Sequence, residues 1–337
     1  MIQTVLGEIG ENELGVCSSH EHIFIDMRGC VDITGNEPPC FLEKINISNR
    51  AEVYANPYAI LDNALLSTED LDIAVEEMKY FKQYGGDTVV DCTLDEIGRD
   101  PIALREVSEK SGVNIIVGCG HYYQKAHFSY VKDASVDTLA EEMFCDITVG
   151  IGDSKIKAGV IGEIGTSAIM SPDEKKVLRA AGIVGAKTGK AVHVHTDLYT
   201  ENGYEIVDIL TREGMKPEKI CIDHVDTLLR PDYIRDLIRL GCYVEFDDFG
   251  KEFYVSEDRR FAYDLERIRV LKTLIDEGYS SRILVCNDIC LKTMYKSFGG
   301  VGYAHILRTV KDMAMQNGID EKTYYSLLTD NVRNFLA

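Results

Sequence analysis

The chain has 337 residues, of which 45% are hydrophobic, so it can build a large buried core. Asp and Glu number 56 against 36 Lys and Arg, which gives a formal net charge of −20. This balance argues against nucleic acid or an anionic membrane as the main partner and is compatible with an enzyme acting on a small molecule.

The N-terminal segment, the apolar runs and the cysteines indicate where the protein is located. The opening segment MIQTVLGEIGENELG lacks a basic stretch followed by a long apolar one, and no run approaches 18 apolar residues. We therefore expect neither a secretory signal nor a membrane span, and we expect a cytoplasmic protein. The ten cysteines form no C-x-x-C pair, which argues against a zinc ribbon, and a disulfide framework is not expected.

Eight short apolar runs, rich in β-branched residues, recur along the chain. They span residues 14–20, 88–93, 114–120, 158–165, 191–196, 220–225, 242–248 and 283–288. Near-continuous apolar character is typical of parallel strands that are buried on both faces. The runs predict eight strands of one parallel sheet.

Helix-like segments separate these runs. Residues 67–86 and 171–190 begin with Ser or Thr and acidic residues and end near glycine, and 230–241 and 262–278 repeat the scheme. Strand and helix alternating eight times predict a single (β/α)8 TIM-barrel domain over residues 1–337. The alternative is a doubly wound open sheet, but no G-x-G-x-x-G follows an early strand. Residues 26–67 are predicted to be an elaborated first βα loop beside the active site.

Five of the predicted strands end in residues of the types that bind metal ions. His20 and His22 lie two apart, so both side chains point to the same side of an extended strand. The complete set of candidate metal ligands is His20, His22, Glu163, His195, His224 and Asp288. Each residue alone has an ordinary structural interpretation, such as a helix cap for Asp288. Together they would converge on the C-terminal mouth of a barrel, where imidazole and carboxylate ligands suit Zn, Mn, Co or Fe.

Several motifs resemble those of the phosphotriesterase family of the amidohydrolase superfamily, in its phosphotriesterase-homology and lactonase-like branches. They are SSHEH, VHTD, ICIDHVD, ILVCND, FGGVGYAHIL and the final TDNVRNFLA, which together span essentially the whole chain. The resemblance implies a (β/α)8 barrel and a binuclear centre of two divalent metal ions, with zinc expected. It also implies activation of a bridging hydroxide for hydrolysis, and it favours a homodimer.

The resemblance further implies a role for each ligand. His20, His22 and Asp288 would hold the more buried ion, and His195 and His224 the more exposed one. Asp288 would also be the catalytic general base.

The bridging position departs from the commonest family pattern. Many members carry a carboxylated Lys on the fourth strand, whereas this chain has Gly162 at that place and Glu163 directly after it. Lys155 and Lys157 lie too early in the strand. We expect Glu163 to bridge the two ions.

Substrate contacts are expected from three loops at the same mouth. The candidates are Tyr122, Tyr123, His127, Lys251 and Lys292. The two lysines would bind an anionic substrate such as a phosphorylated sugar lactone, and their alternative interpretation is as solvated loop residues. His193, two residues before His195, is expected one layer deeper in the barrel.

The resulting functional hypothesis is hydrolysis of a lactone or related carboxylic ester. Amide or phosphoester hydrolysis at the same site is the alternative within the class, and phosphotriester hydrolysis is the least favoured. Two further alternatives stay open: a metal-stabilised barrel that binds a ligand without turnover, and an isomerase or decarboxylase that uses a single metal ion.

Overall fold

The computed structural model describes residues 1–256 and 259–337. Its centre is a sheet of eight parallel strands that pair in chain order from the first to the eighth. They are β1 (Cys17–Glu21), β2 (Thr88–Asp91), β3 (Asn114–Cys119), β4 (Val160–Gly165), β5 (Val192–His195), β6 (Ile220–Ile222), β7 (Tyr243–Phe246) and β8 (Ile283–Val285). Each strand overlaps one predicted apolar run, and the predicted TIM barrel is confirmed.

The ends of the sheet meet, so that it is nearly closed into a barrel. β8 lies beside β1, and the carboxylate of Glu21 links the two ends. It accepts hydrogen bonds from the backbone N–H groups of Asn287 (3.1 Å) and Ile289 (2.7 Å), just beyond β8. A buried side chain thereby satisfies backbone donors at the edge where the ladder stops.

Helices connect the strands and cover the barrel. They are α1 (Leu71–Gln83), α2 (Pro101–Ser111), α3 (Val136–Thr148), α4 (Pro172–Thr188), α5 (Gly203–Arg212), α6 (Pro231–Arg239), α7 (Asp264–Asp276), α8 (Thr309–Gln316), α9 (Glu321–Leu328) and α10 (Asp330–Leu336). The ends of α4 follow from its sequence: Ser171 and Glu174 form a capping box, and Gly189 ends the helix with a φ of +73°.

The N-terminal end of the barrel is closed by apolar side chains. An antiparallel hairpin (Ile2–Thr4 with Gly7–Ile9) lies at this end, and Ile2 shares a buried cluster with Cys17 of β1 and Phe335 of α10. Chemistry therefore has to take place at the opposite end, where the loops from β strands to α helices lie.

Two elaborated loops cover that catalytic end. The loop after β1 contains a short antiparallel pair, Ile25–Asp26 with Leu65–Leu66, which confirms the predicted elaboration. The loop after β7 contains a second pair, Tyr254–Ser256 with Arg259–Arg260. The backbone N–H of Tyr254 donates to the carbonyl oxygen of Tyr54 at 3.0 Å, so the two loops are joined above the barrel mouth.

Two strands end three residues earlier than predicted. The runs 220–225 and 283–288 leave the sheet after Ile222 and Val285. His224 and Asp288 follow with φ values of 61° and 45°, in the left-handed region that a strand cannot contain. Non-glycine residues rarely adopt this conformation, and here both are predicted ligands.

Candidate active site

All six predicted ligands converge at the C-terminal mouth of the barrel, with the Glu163 carboxylate at their centre. Glu163 Oε1 lies 3.2 Å from His22 Nε2, and Glu163 Oε2 lies 3.1 Å from His195 Nδ1. His20 Nε2 and His224 Nε2 lie 3.4 and 3.7 Å from Oε2. These contacts come from four strand ends that are distant in the sequence.

The cluster consists of two groups that share Glu163. His20, His22 and Glu163 form one, and Glu163, His195 and His224 form the other, with all ligand atoms in each group within 4.8 Å of one another. Asp288 Oδ1 approaches the first group, 3.1 Å from His22 Nε2. This grouping follows the division expected for a buried and a more exposed ion.

Backbone packing explains why the carboxylate at the centre of the cluster comes from Glu163, and why residue 162 is a glycine and not a metal-binding lysine. Gly162 has a φ of 100°, and a Cβ atom there would collide with the carbonyl oxygen of His193. A lysine at position 162 would therefore have to displace β5. The neighbouring Glu163 is buried and directed into the cluster.

The unpaired polar atoms of the cluster fit divalent metal ions. Both ring nitrogens of His20 and Oδ1 of Asp288 are buried without a hydrogen bond, and His224 Nε2 faces His195 Nδ1 at 2.8 Å. Buried polar groups normally have a partner, and two imidazole nitrogens this close need a shared proton or a cation. Nitrogen and carboxylate ligands in this arrangement suit zinc and its first-row neighbours.

A ring of hydrogen bonds behind the cluster orients the imidazoles. His22 Nδ1 lies 2.9 Å from Thr93 Oγ1, and His224 Nδ1 lies 3.0 Å from Asp247 Oδ1. These bonds leave the Nε2 atoms of both rings free to face the cluster, which is how outer groups usually support metal-binding histidines.

Beneath the cluster lies a second buried layer of acidic residues, which the sequence analysis missed. His20 Nδ1 is 3.4–3.5 Å from carboxylate oxygens of Asp223, Glu245 and Asp247. His193 Nδ1 lies 3.1 Å from Asp223 and 3.2 Å from Glu245, in agreement with its expected deeper position. The signal that could have found them was three acidic residues within two apolar runs, 220–225 and 242–248.

The central carboxylates are held in their ionised form. Burial alone would raise the pKa of Glu163, but His20 and His195 hold that pKa well below its ordinary value. Burial also opposes ionisation of Asp288, yet the Lys251 ammonium group and His22 hold its pKa well below the usual range. Both residues therefore offer negatively charged oxygen ligands.

A small pocket of about 110 Å³ opens onto the cluster. Its walls are mostly apolar, and the loop after β1 contributes Met27, Pro57 and Tyr58. These loop residues were not singled out from the sequence, because nothing in a loop sequence says which side chains fold inward. The other lining residues outside the cluster are Ile25, Tyr122, Leu198, Lys251, Phe253, Val255, Phe261, Cys290 and Leu291.

Two of the predicted substrate contacts line this pocket. The hydroxyl of Tyr122 lies 3.2 Å from His195 Nδ1. Lys251 is 3% exposed, and its ammonium group donates to Asp288 Oδ2 and, at 3.0 Å, to Asp248 Oδ1. Tyr122 is therefore placed to contact a substrate, whereas Lys251 is first of all a partner of Asp288.

The other three predicted contacts lie outside the pocket lining. Tyr123 packs against the rings of Tyr122 and His195, and His127 Nε2 bonds to the carbonyl oxygen of Tyr122 at 2.7 Å. Lys292 is buried in ion pairs with Asp62 (3.1 Å) and Asp70 (3.6 Å). The structure thus places Tyr123 and His127 behind Tyr122, and it pairs Lys292 with acids of the loop and turn before α1.

The fold and cluster define a class, a (β/α)8 barrel with a carboxylate-centred metal site at its catalytic end. The family model for the phosphotriesterase family matches residues 1–336. The chain belongs to the phosphotriesterase family, and it is a metal-dependent hydrolase. The family uses a binuclear metal centre, which agrees with the two groups that share Glu163.

Named relatives extend over the full chain. The N-acetyltaurine hydrolase of Pongo abelii is 35% identical over 344 residues, which cover 100% of this chain and 97% of that protein. The crystal structure of a resiniferatoxin-binding protein from Rhodobacter sphaeroides has a TM-score of 0.96 at 29% identity and covers 99% of this chain and 94% of that one.

A lactonase is also similar in structure. A mutant of a phosphotriesterase-like lactonase from Deinococcus radiodurans has a TM-score of 0.81 at 27% identity, with 100% of both chains covered. In the part of the chain that the structure describes, no helix combines the length and apolar character needed to cross a membrane.

Proposed function

We propose that the protein hydrolyses a carboxylic acyl bond of a small molecule, with an N-acyl amide as the first candidate substrate. The observation that carries this proposal is the convergence of four histidines and Asp288 around Glu163 at the floor of an apolar pocket. Such a site combines metal ligands, an ionised acid and walls that limit the access of water.

Two divalent ions, with zinc expected, would be held by the two groups that share Glu163. His20, His22 and Asp288 would serve the buried position, and His195 and His224 the exposed one. When bound, such ions lower the pKa of water and polarise the bond to be cleaved.

The chain's own residues supply the remaining chemistry. Asp288, kept ionised by Lys251, accepts the proton of the attacking water as oxygen adds to the acyl carbon. The proton is then available to the leaving nitrogen or oxygen as its bond to that carbon breaks. The Tyr122 hydroxyl, beside His195, is placed to donate to the substrate, and the apolar loop residues exclude bulk water.

The choice of an amide rests on the relatives. N-acetyltaurine hydrolases are 31–35% identical over the whole chain, and their name describes an amide substrate. The lactone or ester predicted from the sequence is the second candidate, which the lactonase-like structures at 27% identity favour. The name of the resiniferatoxin-binding protein describes a bound ligand, which supports a ligand pocket in this chain.

Location and assembly are also proposals. All ten cysteines are unpaired, which supports a reducing compartment such as the cytoplasm. A homodimer is proposed from the family resemblance alone.

The test compares hydrolysis of matched N-acetyl amides, lactones, simple esters and one phosphotriester. Amide hydrolysis is measured by the amine that is released, because at neutral pH this amine takes up the proton that the acid loses. Proton release to a pH indicator measures the other compounds. Asp288→Asn is the inactive variant, and Asp153→Asn, at an exposed position, is the control. We expect amide turnover that Asp288→Asn abolishes and Asp153→Asn preserves, with the metal content of each protein measured in parallel.

Each other outcome has a defined meaning. Faster turnover of a lactone would assign the second candidate. Turnover of the phosphotriester alone, or of no compound by the metal-loaded protein, would overturn the proposal of acyl hydrolysis.

A further inference from the structure

A second cavity of about 440 Å³ opens on the catalytic end of the barrel. Its walls come from the loops that follow β1, β7 and β8, and they are mostly apolar or backbone. The side chains with polar groups in the lining are Arg50, Tyr54, Asn63 and Thr293. No metal ligand borders this cavity, so it is distinct from the site described above.

The second cavity shares a wall, here called the partition, with the pocket at the Glu163 cluster, here called the metal pocket. Pro57, Phe253 and Leu291 line both spaces. The metal pocket, at about 110 Å³, is smaller than the roughly 300–1,000 Å³ typical of ligand sites. A substrate larger than the pocket at the Glu163 cluster therefore has the second cavity next to it, across this partition.

Arg50 gives the second cavity its charge. Its guanidinium group donates to the carbonyl oxygen of Gly299, and it makes no ion pair within residues 1–256 and 259–337. Thr293 donates its backbone N–H to Asn63 Oδ1 at 2.9 Å, and among the described residues its hydroxyl has no hydrogen-bond partner. Lys251, which lines the metal pocket, already donates hydrogen bonds to the carboxylates of Asp248 and Asp288.

A guanidinium without an ion pair and a hydroxyl that line the same cavity suit an anionic group with several acceptor oxygens. The chain has a net charge of −20, so carboxylates are abundant. Arg50 nevertheless lines the cavity without a carboxylate partner among the described residues, which leaves its charge available to a ligand.

We infer that the second cavity binds the anionic end of the substrate, a carboxylate or sulfonate, at Arg50 and Thr293. The scissile acyl bond would lie at the Glu163 cluster, and an apolar spacer would cross the partition of Pro57, Phe253 and Leu291. This inference rests on the proposed function and adds the substrate class: acyl compounds that carry an acid at a distance from the bond that is cleaved.

The test uses N-acetyl amides of amino carboxylates and amino sulfonates with graded spacer lengths, each paired with a neutral amide of equal length. We expect kcat/KM to favour the anionic member of a pair at one spacer length. In Arg50→Gln, we expect the KM of that compound to rise roughly 10- to 100-fold, as for loss of a charged hydrogen bond, with kcat nearly unchanged. The neutral partner should be unaffected.

Two variants sharpen the result. Arg50→Lys should restore part of the preference, because it retains the charge. Arg28→Gln is the matched control, since Arg28 lies in the same loop but is paired with Asp26 at 2.7 Å and lines neither cavity. Equal loss on anionic and neutral substrates in Arg50→Gln would overturn the inference, because it would show that the bond to Gly299 merely shapes the loop.

Direct binding separates this inference from the proposed function. Alkyl sulfonates and alkyl carboxylates are titrated against the metal-loaded wild-type protein, with alcohols of equal length as controls. Tighter binding of an acid than of the alcohol, lost in Arg50→Gln, would support the site even if no amide is hydrolysed. Equal binding of acids and alcohols would overturn it even if amides are hydrolysed, and a difference between the two acids would name the anion.

Discussion

The ends of the barrel strands position the candidate metal ligands, whereas the loops above them form the walls of the pocket. At the strand ends, the sheet holds His20, Glu163 and His195 in fixed positions, and all three converge through buried contacts. In the loops, Pro57, Tyr58, Phe253 and other side chains from distant segments build the pocket walls. The strand ends therefore determine the chemistry, and the loops determine which molecule reaches it.

The two regions also differ in how each side chain is supported. The imidazoles of His22 and His224 are bonded from behind by Thr93 and Asp247, so each of these two rings has one nitrogen aimed at the cluster. The loops after β1 and β7 contact each other, as in the backbone bond between Tyr254 and Tyr54. Substitutions at the strand ends should change the chemical step, and substitutions in the loops should change substrate preference.

The largest expected effect is at Glu163, which belongs to both ligand groups. Glu163→Gln removes the shared charge while keeping the shape, so metal content should fall. The several kcal/mol that metal ions supply to a transition state correspond to a loss of about 1,000-fold in kcat. Steady-state kinetics and elemental analysis of the purified protein measure both quantities.

Glu109→Gln is the control for Glu163→Gln, because Glu109 is exposed on α2 and should leave metal content and kcat unchanged. A Glu163→Gln protein that keeps two ions per chain and full activity would show that Glu163 does not bridge.

A smaller effect is expected one layer below, at Glu245. This carboxylate accepts a hydrogen bond from Ser19 and faces both His20 and His193. Glu245→Gln should leave every ligand in place but weaken the orientation of His20, which typically costs 10- to 100-fold in metal affinity. Competition with a zinc chelator measures the affinity, and Asp153→Asn is the control. Unchanged affinity in a folded Glu245→Gln protein would refute a supporting role for this layer.

The sequence predicted the cluster well because strand ends leave a readable pattern. Eight apolar runs fix eight strands, their order fixes a common mouth, and alternation along β5 places His193 and His195 on one side at different depths. His224 and Asp288 were found by residue type and resemblance. Their left-handed backbone, which ends both strands early, has no such signature.

The sequence predicted the loop contacts less well because a loop residue's direction depends on partners far along the chain. Lys251 and Lys292 look alike in the sequence, because each is a lysine that follows a strand at the catalytic end. Three-dimensional packing separates them: Lys251 meets Asp288 in the pocket, and Lys292 meets Asp62, 230 positions earlier in the chain. The second layer of acids was missed for a different reason: these acids lie within apolar strand runs, and their contacts with the histidines join separate strands.

The smallest expected effect on catalysis tests this last distinction. Lys292→Met removes a buried charge, 6% exposed, that donates to Asp62 at 3.1 Å. Asp62 keeps a bond from the exposed Lys44 at 2.9 Å, so the loss should be about 2 kcal/mol in the free energy of unfolding, as for one charged hydrogen bond. kcat/KM should stay within about twofold of wild type, because Lys292 lies outside the pocket lining. Urea denaturation and steady-state kinetics measure the two quantities.

Lys251→Met is the matched comparison for Lys292→Met. It removes the same charge from beside Asp288, so it should lower kcat, because the carboxylate then loses the partner that fixes its position. If Lys292→Met instead raised KM for an acidic substrate while stability stayed unchanged, Lys292 would be the substrate contact predicted from the sequence. The acids around it would then be partners that it leaves when the substrate binds.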